Sequence, residues 1–314
     1  MNSSNEYIQI NELTRKFKEN TALDRVNLQV RQGELFGLVG PDGAGKTTIL
    51  RILAGLMGVT GGEVQVAGRD LIKNPESVKS HIGYMAQEFS LYGKLSVLEN
   101  LQFFGELYDV PAAEQRERIP GLLEFAKLTD FKDRRAAQLS GGMKKKLALA
   151  STLLHRPPIL LLDEPTTGVD PVSRREFWKI LTELHLQGTT IIVSTPYMDE
   201  ADRCSRVALM YDGKVVKCDS PSVIRGQLGG EVLKLITSDW QKARKLILPI
   251  PGVQEVQSYG EALHILVDSA SRRSKSIKKI LSKEKILILE MREISPRMEE
   301  AFISFIRKMD QDNQ

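Results

Sequence analysis

Apolar residues along this chain come mostly in short runs broken by polar or glycine-rich turns, and helical stripes are confined to a few stretches. Residues 7–10 and 26–30 alternate apolar with polar, the period of strands with one face buried. Between them Arg15-Lys16-Phe17-Lys18 reads as a basic loop with a single aromatic. The stretches 34–39, 159–162 and 189–194 are nearly continuous apolar runs, which suits parallel strands covered on both faces. A short strand and turn are predicted at 63–68, and a further strand over 80–86, ending at Gln87. Residues 96–127 are predicted to be mostly helical. There Leu98, Leu101, Phe104 and Leu107 recur at helical spacing as packing core, and Pro111 and Pro120 punctuate the block. Residues 207–210 and 214–216 predict a hairpin turning at Asp212-Gly213.

Past Gly226-Gln227-Leu228-Gly229-Gly230 the pattern changes. Strands are expected at 232–237, 253–258, 262–267 and 285–291, with helices at 239–247, 272–282 and 296–308. That β-α-β-β-α-β order predicts a small α+β, ferredoxin-like domain over residues 231–314, after a larger α/β domain over residues 1–228. A length of 314 residues suits one large and one small domain.

Composition narrows the class only a little. Hydrophobic content of 41% and charged content of 27% are those of a soluble globular protein. A formal net charge of +4 is too mild to argue for nucleic acid, though it suits an anionic ligand or a membrane surface. Arg272, Arg273, Lys275, Lys278 and Lys279 crowd one predicted helix, most simply as a solvated face. No apolar run approaches the roughly 20 residues that cross a bilayer. The start, Met1-Asn2-Ser3-Ser4-Asn5-Glu6, lacks an apolar signal core. A cytosolic protein is expected, reaching a membrane only through a partner. Cys204 and Cys218 have no metal-ligand spacing and read as plain thiols of a reducing compartment.

The chemistry is carried by Gly40-Pro41-Asp42-Gly43-Ala44-Gly45-Lys46-Thr47, which fits G-x-x-x-x-G-K-[ST] between a strand and a helix that continues from Thr48. Glycines let successive backbone N–H groups wrap a phosphate chain, and the helix N-terminus adds partial positive charge. Lys46 would reach the β- and γ-phosphates and the Thr47 hydroxyl would hold Mg²⁺. The run 159–162 ends in Asp163 and Glu164, at the strand end where open α/β sheets bind ligands. Asp163 is placed to hold Mg²⁺ through water, and Glu164 to polarise an attacking water. Phe17, if exposed, offers a flat face for stacking a purine. Leu139-Ser140-Gly141-Gly142-Met143 opens a helix. Taken alone it is equally an anion-binding helix start and a cap with a tight turn. The triple lysine Lys144, Lys145 and Lys146 reads as a solvated helix face.

In order and spacing, the P-loop, Gln87, Leu139-Ser140-Gly141-Gly142, Asp163-Glu164 and Gly168-Val169-Asp170-Pro171 resemble the ATP-binding cassette family, over residues 6–226. The resemblance implies a P-loop ATPase domain with a mixed sheet and a helical subdomain at about 88–155. Its cofactors are ATP and Mg²⁺. Gly40, Pro41, Asp42, Gly43, Ala44, Gly45, Lys46, Thr47 and Thr48 hold the nucleotide, and Phe17 stacks the adenine. Thr47, Gln87 and Asp163 form the metal set, while Glu164 and Gln87 form the catalytic set. Ser140, Gly141 and Gly142 would cover the ATP of a second cassette, and Asp170 would lie in the loop between the two. Met143 followed by Lys144 resembles the branch serving ABC-2-type exporters. So does Ile294-Ser295-Pro296-Arg297-Met298-Glu299-Glu300-Ala301-Phe302-Ile303. The implied partners are a second ATPase and an ABC-2-type permease, contacted by Gln87 and the helical block after it. The implied place is peripheral, on the cytoplasmic face of the cell membrane, and no nucleic acid is expected.

One position departs from the family pattern. Efficient members carry His just after the strand 191–194, where this chain has Pro196, with neither a side-chain donor nor a backbone N–H. None of His81, His155, His185 and His264 falls there. The expectation is a slow site, as in the first ATPase half of exporters with two unequal halves, paired with a different cassette. A homodimer with another donor is the alternative. A cassette protein acting on ribosomes or DNA would carry two cassettes or sustained heptads, and a P-loop kinase or GTPase would leave residues 139–142 unexplained.

Overall fold

In the computed structural model, which describes residues 6–88 and 91–312, the chain divides between Pro221 and Ser222 into two compact units. The first begins with strands β1 (Glu6–Phe17), β2 (Asn20–Arg31) and β3 (Leu35–Val39), then helix α1 (Lys46–Leu53). Strands β4 (Gly61–Val66), β5 (Arg69–Asp70) and β6 (Ile82–Met85) follow. Helices α2 (Val97–Leu107), α3 (Ala112–Phe125) and α4 (Gly141–Leu153) come next, then β7 (Ile159–Asp163), α5 (Pro171–Leu186) and β8 (Thr190–Thr195). Helix α6 (Met198–Ala201) and strands β9 (Arg206–Tyr211) and β10 (Lys214–Asp219) close the series, and α7 (Pro221–Gly226) starts at the division.

The apolar runs behave as their composition demands. Strands β3, β7 and β8 are buried along their whole length in a six-stranded sheet of order β10-β9-β3-β8-β7-β6. All its pairs are parallel except β9 with β10, a hairpin turning at Asp212 and Gly213, both at positive φ. The alternating strands β1 and β2 instead build an antiparallel sheet of order β2-β1-β4-β5. Ile8, Ile10, Leu28 and Val64 from that sheet meet Leu50 and Leu53 of α1 and Ile159 and Leu161 of β7 in one core. A separate core joins α2, α3 and α4 through Val97, Leu101, Phe104, Ile119, Leu123 and Leu147.

Several sequence expectations need correcting. Arg15, Lys16 and Phe17 are not loop but the end of β1, since the antiparallel ladder continues to the pair Phe17–Asn20. The strand expected from residue 80 begins only at Ile82, because Pro75–His81 forms a 3₁₀ turn. Leu107 is not core but 60% exposed at the last turn of α2. The triple lysine is not one solvated face. Lys144 is exposed, Lys145 is half-buried, and Lys146 is buried against Glu176, which also takes Lys127.

The second unit contains β11 (Glu231–Thr237), α8 (Trp240–Ile247), β12 (Val253–Tyr259), β13 (Ala262–Val267), α9 (Ala270–Lys283), β14 (Ile288–Ile294) and α10 (Met298–Asp312). Its sheet runs β12-β13-β11-β14, all antiparallel, the strand order of a ferredoxin-like sandwich. Leu233, Leu235, Leu263 and Ile265 pack against Ala243, Ile247, Ile277 and Leu281 of α8 and α9. On α10, buried Glu300 accepts from His264 Nδ1 at 2.7 Å and from the Arg297 N–H at 2.6 Å. Both cysteines are free thiols. No described helix is long and apolar enough to cross a membrane. The polar start, Met1 to Asn5, lies outside the described residues.

Candidate functional site

Strand β3 ends where the backbone must turn tightly into α1. Gly45 caps that helix at φ 98°, and a Cβ there would stand 2.6 Å from Leu23 Cδ2 and 2.8 Å from the Ala22 carbonyl. Only glycine accepts both that torsion and that approach. The loop therefore curls over its own lysine. Lys46, 4% exposed, donates from Nζ to the carbonyls of Gly40 at 2.8 Å and Pro41 at 2.9 Å. Its ammonium also lies 3.5 Å from Glu164 Oε1.

Beside it stand the ends of β7 and β8. Asp163, fully buried, accepts on Oδ1 from Thr47 Oγ1 at 2.9 Å and from Ser194 Oγ at 2.7 Å. Its Oδ2 is buried without a hydrogen-bond partner. A buried carboxylate oxygen left unsatisfied is unfavourable, and it fits a hard divalent cation. Among the described residues no three His, Cys, Asp or Glu side chains gather as a metal cluster. One carboxylate with one hydroxyl is the sparse oxygen set that suits Mg²⁺ sharing its shell with phosphate and water. Tyr84, on the neighbouring β6, has its phenol pushed up, by burial first and by the Asp163 charge second.

Glu164 follows in the left-handed region, at φ 45°. A non-glycine residue there carries strain of order 1–3 kcal/mol, and such strain concentrates at functional sites. The Glu164 N–H donates to Ser194 Oγ at 2.9 Å and holds the turn. On the side chain, Oε2 accepts from Gln87 Nε2 at 2.9 Å and from Thr167 Oγ1 at 3.3 Å. A cavity of about 410 Å³ is lined by the loop from Asp42 to Thr48, by Gln87 and Glu164, by the first residues of β2 and by the β9–β10 turn.

The structure thus gathers Lys46, Thr47, Gln87, Asp163 and Glu164, and leaves other candidates elsewhere. Phe17 does not line that cavity; its ring is 41% exposed, with the Arg15 guanidinium 4.5 Å from its centroid. Ser140 caps α4, accepting from the Met143 N–H at 3.3 Å. Gly142 touches α5 so closely that a Cβ would come within 2.5 Å of Ser173 Cβ. Asp170 caps α5, accepting from the N–H groups of Val172 at 3.0 Å and Ser173 at 2.9 Å. Those bonds, from the Ser173 backbone first, hold its carboxyl below the usual range. Pro196 is half-buried at the end of β8.

Sequence reasoning missed Ser194, which ends an apolar run and ties β8 to both acids. It also missed Glu200. That carboxylate is fully buried, and Oε1 accepts from Thr166 Oγ1 at 2.8 Å, Arg174 Nε at 2.6 Å and Trp178 Nε1 at 2.8 Å. Oε2 accepts from Thr195 Oγ1 at 2.6 Å. A four-residue helix, α6, gave too little periodicity to mark that acid as inward-facing.

Comparison with known proteins agrees with this geometry. The ABC transporter family profile matches residues 23–167. Nod factor export ATP-binding protein I of Ralstonia nicotianae is 37% identical over 253 residues, which are 80% of this chain and 78% of that protein. This chain belongs to the ABC transporter family. Among the ABC ATP-binding proteins, the probable multidrug ABC transporter ATP-binding protein YbhF of Escherichia coli is 44% identical over 220 residues. That match spans 70% of this chain but only 38% of YbhF. An ABC cassette described as a dimeric post-hydrolysis state of MJ0796 bound to ADP and Pi superposes with a TM-score of 0.62 at 29% identity, covering 68% of this chain and 98% of that one.

Proposed function

We propose that this ABC chain binds ATP with Mg²⁺ on its P-loop and hydrolyses it, from the cytoplasmic face of the membrane, to drive an ABC-2-type permease together with a second cassette. One observation carries the reading: Lys46, Thr47, Gln87 and Glu164 line a single cavity, and Asp163, with its unpartnered buried oxygen, is bonded to Thr47. Thr47 and Asp163 would hold the magnesium ion, which when bound offsets the charge of the phosphates. Lys46 supplies a fixed cation at the loop. Glu164, oriented by Gln87 and Thr167, is the group placed to take the proton of an attacking water. Ser140 and the backbone N–H groups after it would cover the triphosphate held by a partner cassette. The dimer of MJ0796 supports that pairing, and the export in the name of the Ralstonia nicotianae relative supports the direction of transport. Pro196 offers no donor toward the phosphate, so turnover by this chain alone is slow and faster once a partner completes the site.

The test is titration of the purified chain with a fluorescent ATP analogue, with and without Mg²⁺, alongside hydrolysis measured alone and with a candidate partner cassette. Wild type should bind in a Mg²⁺-dependent way, and Lys46→Ala should weaken binding by more than about tenfold, or ~1.4 kcal/mol. Equal binding by both proteins would refute the nucleotide site. A brisk rate from the chain alone would refute the dependence on a partner.

A further inference from the structure

We propose that Lys145 is a positioning residue, a cationic strut from the helix capped by Ser140 to the backbone of Gln87, which thereby sets Gln87 against Glu164. This rests on the reading of the cavity as an ATP site. The three neighbouring lysines have different surroundings. Lys144 is exposed, and Lys146 is buried in an ion pair with Glu176. Lys145 instead donates from Nζ to the Gln87 carbonyl at 2.7 Å. Gln87 in turn donates from its side chain to Glu164 Oε2 at 2.9 Å. The line of contact from α4 to the acid is therefore two hydrogen bonds long. Among the described residues, the Lys145 bond is the one hydrogen bond joining α4 to Gln87. Beside it a cavity of about 570 Å³ separates the Gln87 segment from the first turns of α4.

A charged donor to a carbonyl makes a stronger bond than a neutral one. A residue without a donor, even one of equal length, would lose the bond to the Gln87 carbonyl. Because Lys145 does not line the P-loop cavity, its removal should disturb orientation rather than nucleotide capture.

The experiment compares full-length wild type with Lys145→Met, Lys145→Gln, Lys145→Arg and the neighbouring Lys144→Met. The readouts are hydrogen–deuterium exchange of the backbone around Gln87 without nucleotide, ATP affinity, and kcat. Lys145→Met and Lys145→Gln should speed exchange around Gln87 by about fivefold or more, since a local anchor is lost. Each should lower kcat by about tenfold, the scale seen when a residue supporting a catalytic group is removed, with ATP affinity within about twofold of wild type. Lys145→Arg should restore most of both, and Lys144→Met should match wild type. Unchanged exchange and kcat in Lys145→Met would overturn the proposal. So would equal losses from Lys144→Met, or an ATP affinity that falls as far as kcat. Failure of wild type itself to bind ATP would instead refute the nucleotide reading, and the exchange arm would still decide whether the strut exists.

Discussion

Strands β7 and β8 lie side by side, parallel, with Asp163 opposite Ser194, yet their ends are built for opposite purposes. The end of β7 keeps carboxylate capacity in reserve. Asp163 Oδ2 has no partner, and Glu164 sits strained at φ 45° with one oxygen facing Lys46. The end of β8 uses all of its capacity internally. Glu200, shortly after Pro196, is saturated by Thr166, Arg174, Trp178 and Thr195. The Arg174 guanidinium also stacks 4.3 Å from the centre of the Tyr197 ring and reaches Asp199 at 2.9 Å. Two acids with similar burial therefore do different jobs. An under-satisfied carboxylate is available to a ligand, whereas a fully satisfied one is a brace.

The largest expected effect comes from removing the brace. Glu200→Ala leaves the donors of Arg174, Trp178 and two threonines facing a cavity, and breaking a buried charged pair this way costs about 3 kcal/mol. Urea denaturation measures it. A loss of less than ~1 kcal/mol would mean that the hub is not structural and that the contrast between the strand ends is weaker than drawn.

A smaller effect tests whether the end of β8 can be returned to chemistry. Pro196→His places a donor where the chain has none. A contact made only to a transition-state phosphate is worth on the order of 10²–10³ in rate at sites shaped for it. Here the segment is held by Glu200 and clamped through Arg174, so a gain of about tenfold in kcat is expected, with little change in ATP affinity. No gain in a protein that still binds ATP would show that the missing donor is not what limits the site.

How much of this was legible in sequence follows from the same contrast. The reserve side was written in local order: a glycine-rich loop between strand and helix, and an apolar run ending in Asp163-Glu164. Both depend on residues next to each other in the chain. Gln87 came through its place in a family pattern, whereas Ser140 was legible locally as a helix start, either a cap or an anion site, and it does cap α4. The brace was not legible, because Glu200 acquires meaning only when Thr166, Arg174 and Trp178 arrive from another element. Lys145 and Lys146 were misread for a like reason. A run of lysines looks solvated until tertiary packing supplies the Gln87 carbonyl to one and Glu176 to the other. Phe17 shows the converse limit: its register is set by the ladder with β2, which turned an expected loop into a strand end.

The smallest effect concerns the arm joining the two strand ends, α5, which starts just after the turn from β7 and carries Arg174 and Trp178 to Glu200. Asp170 fixes its first turn by accepting from the Val172 and Ser173 N–H groups. These bonds favour the charged form and lower the carboxyl's pKa in the folded chain. The stabilisation is therefore fully present above the unfolded value of about 3.9, and it is lost as pH falls through the lower folded value. Asp170→Ser keeps a side-chain cap but carries no charge. Wild type should melt slightly above the Ser variant at pH 7, and the gap should close as the pH drops below about 4. Melting curves of the two proteins taken in parallel across that range isolate this one carboxylate from the others, which both chains share. A gap that stays constant down to acid would assign the difference to side-chain shape and remove charge from the account of how α5 is anchored.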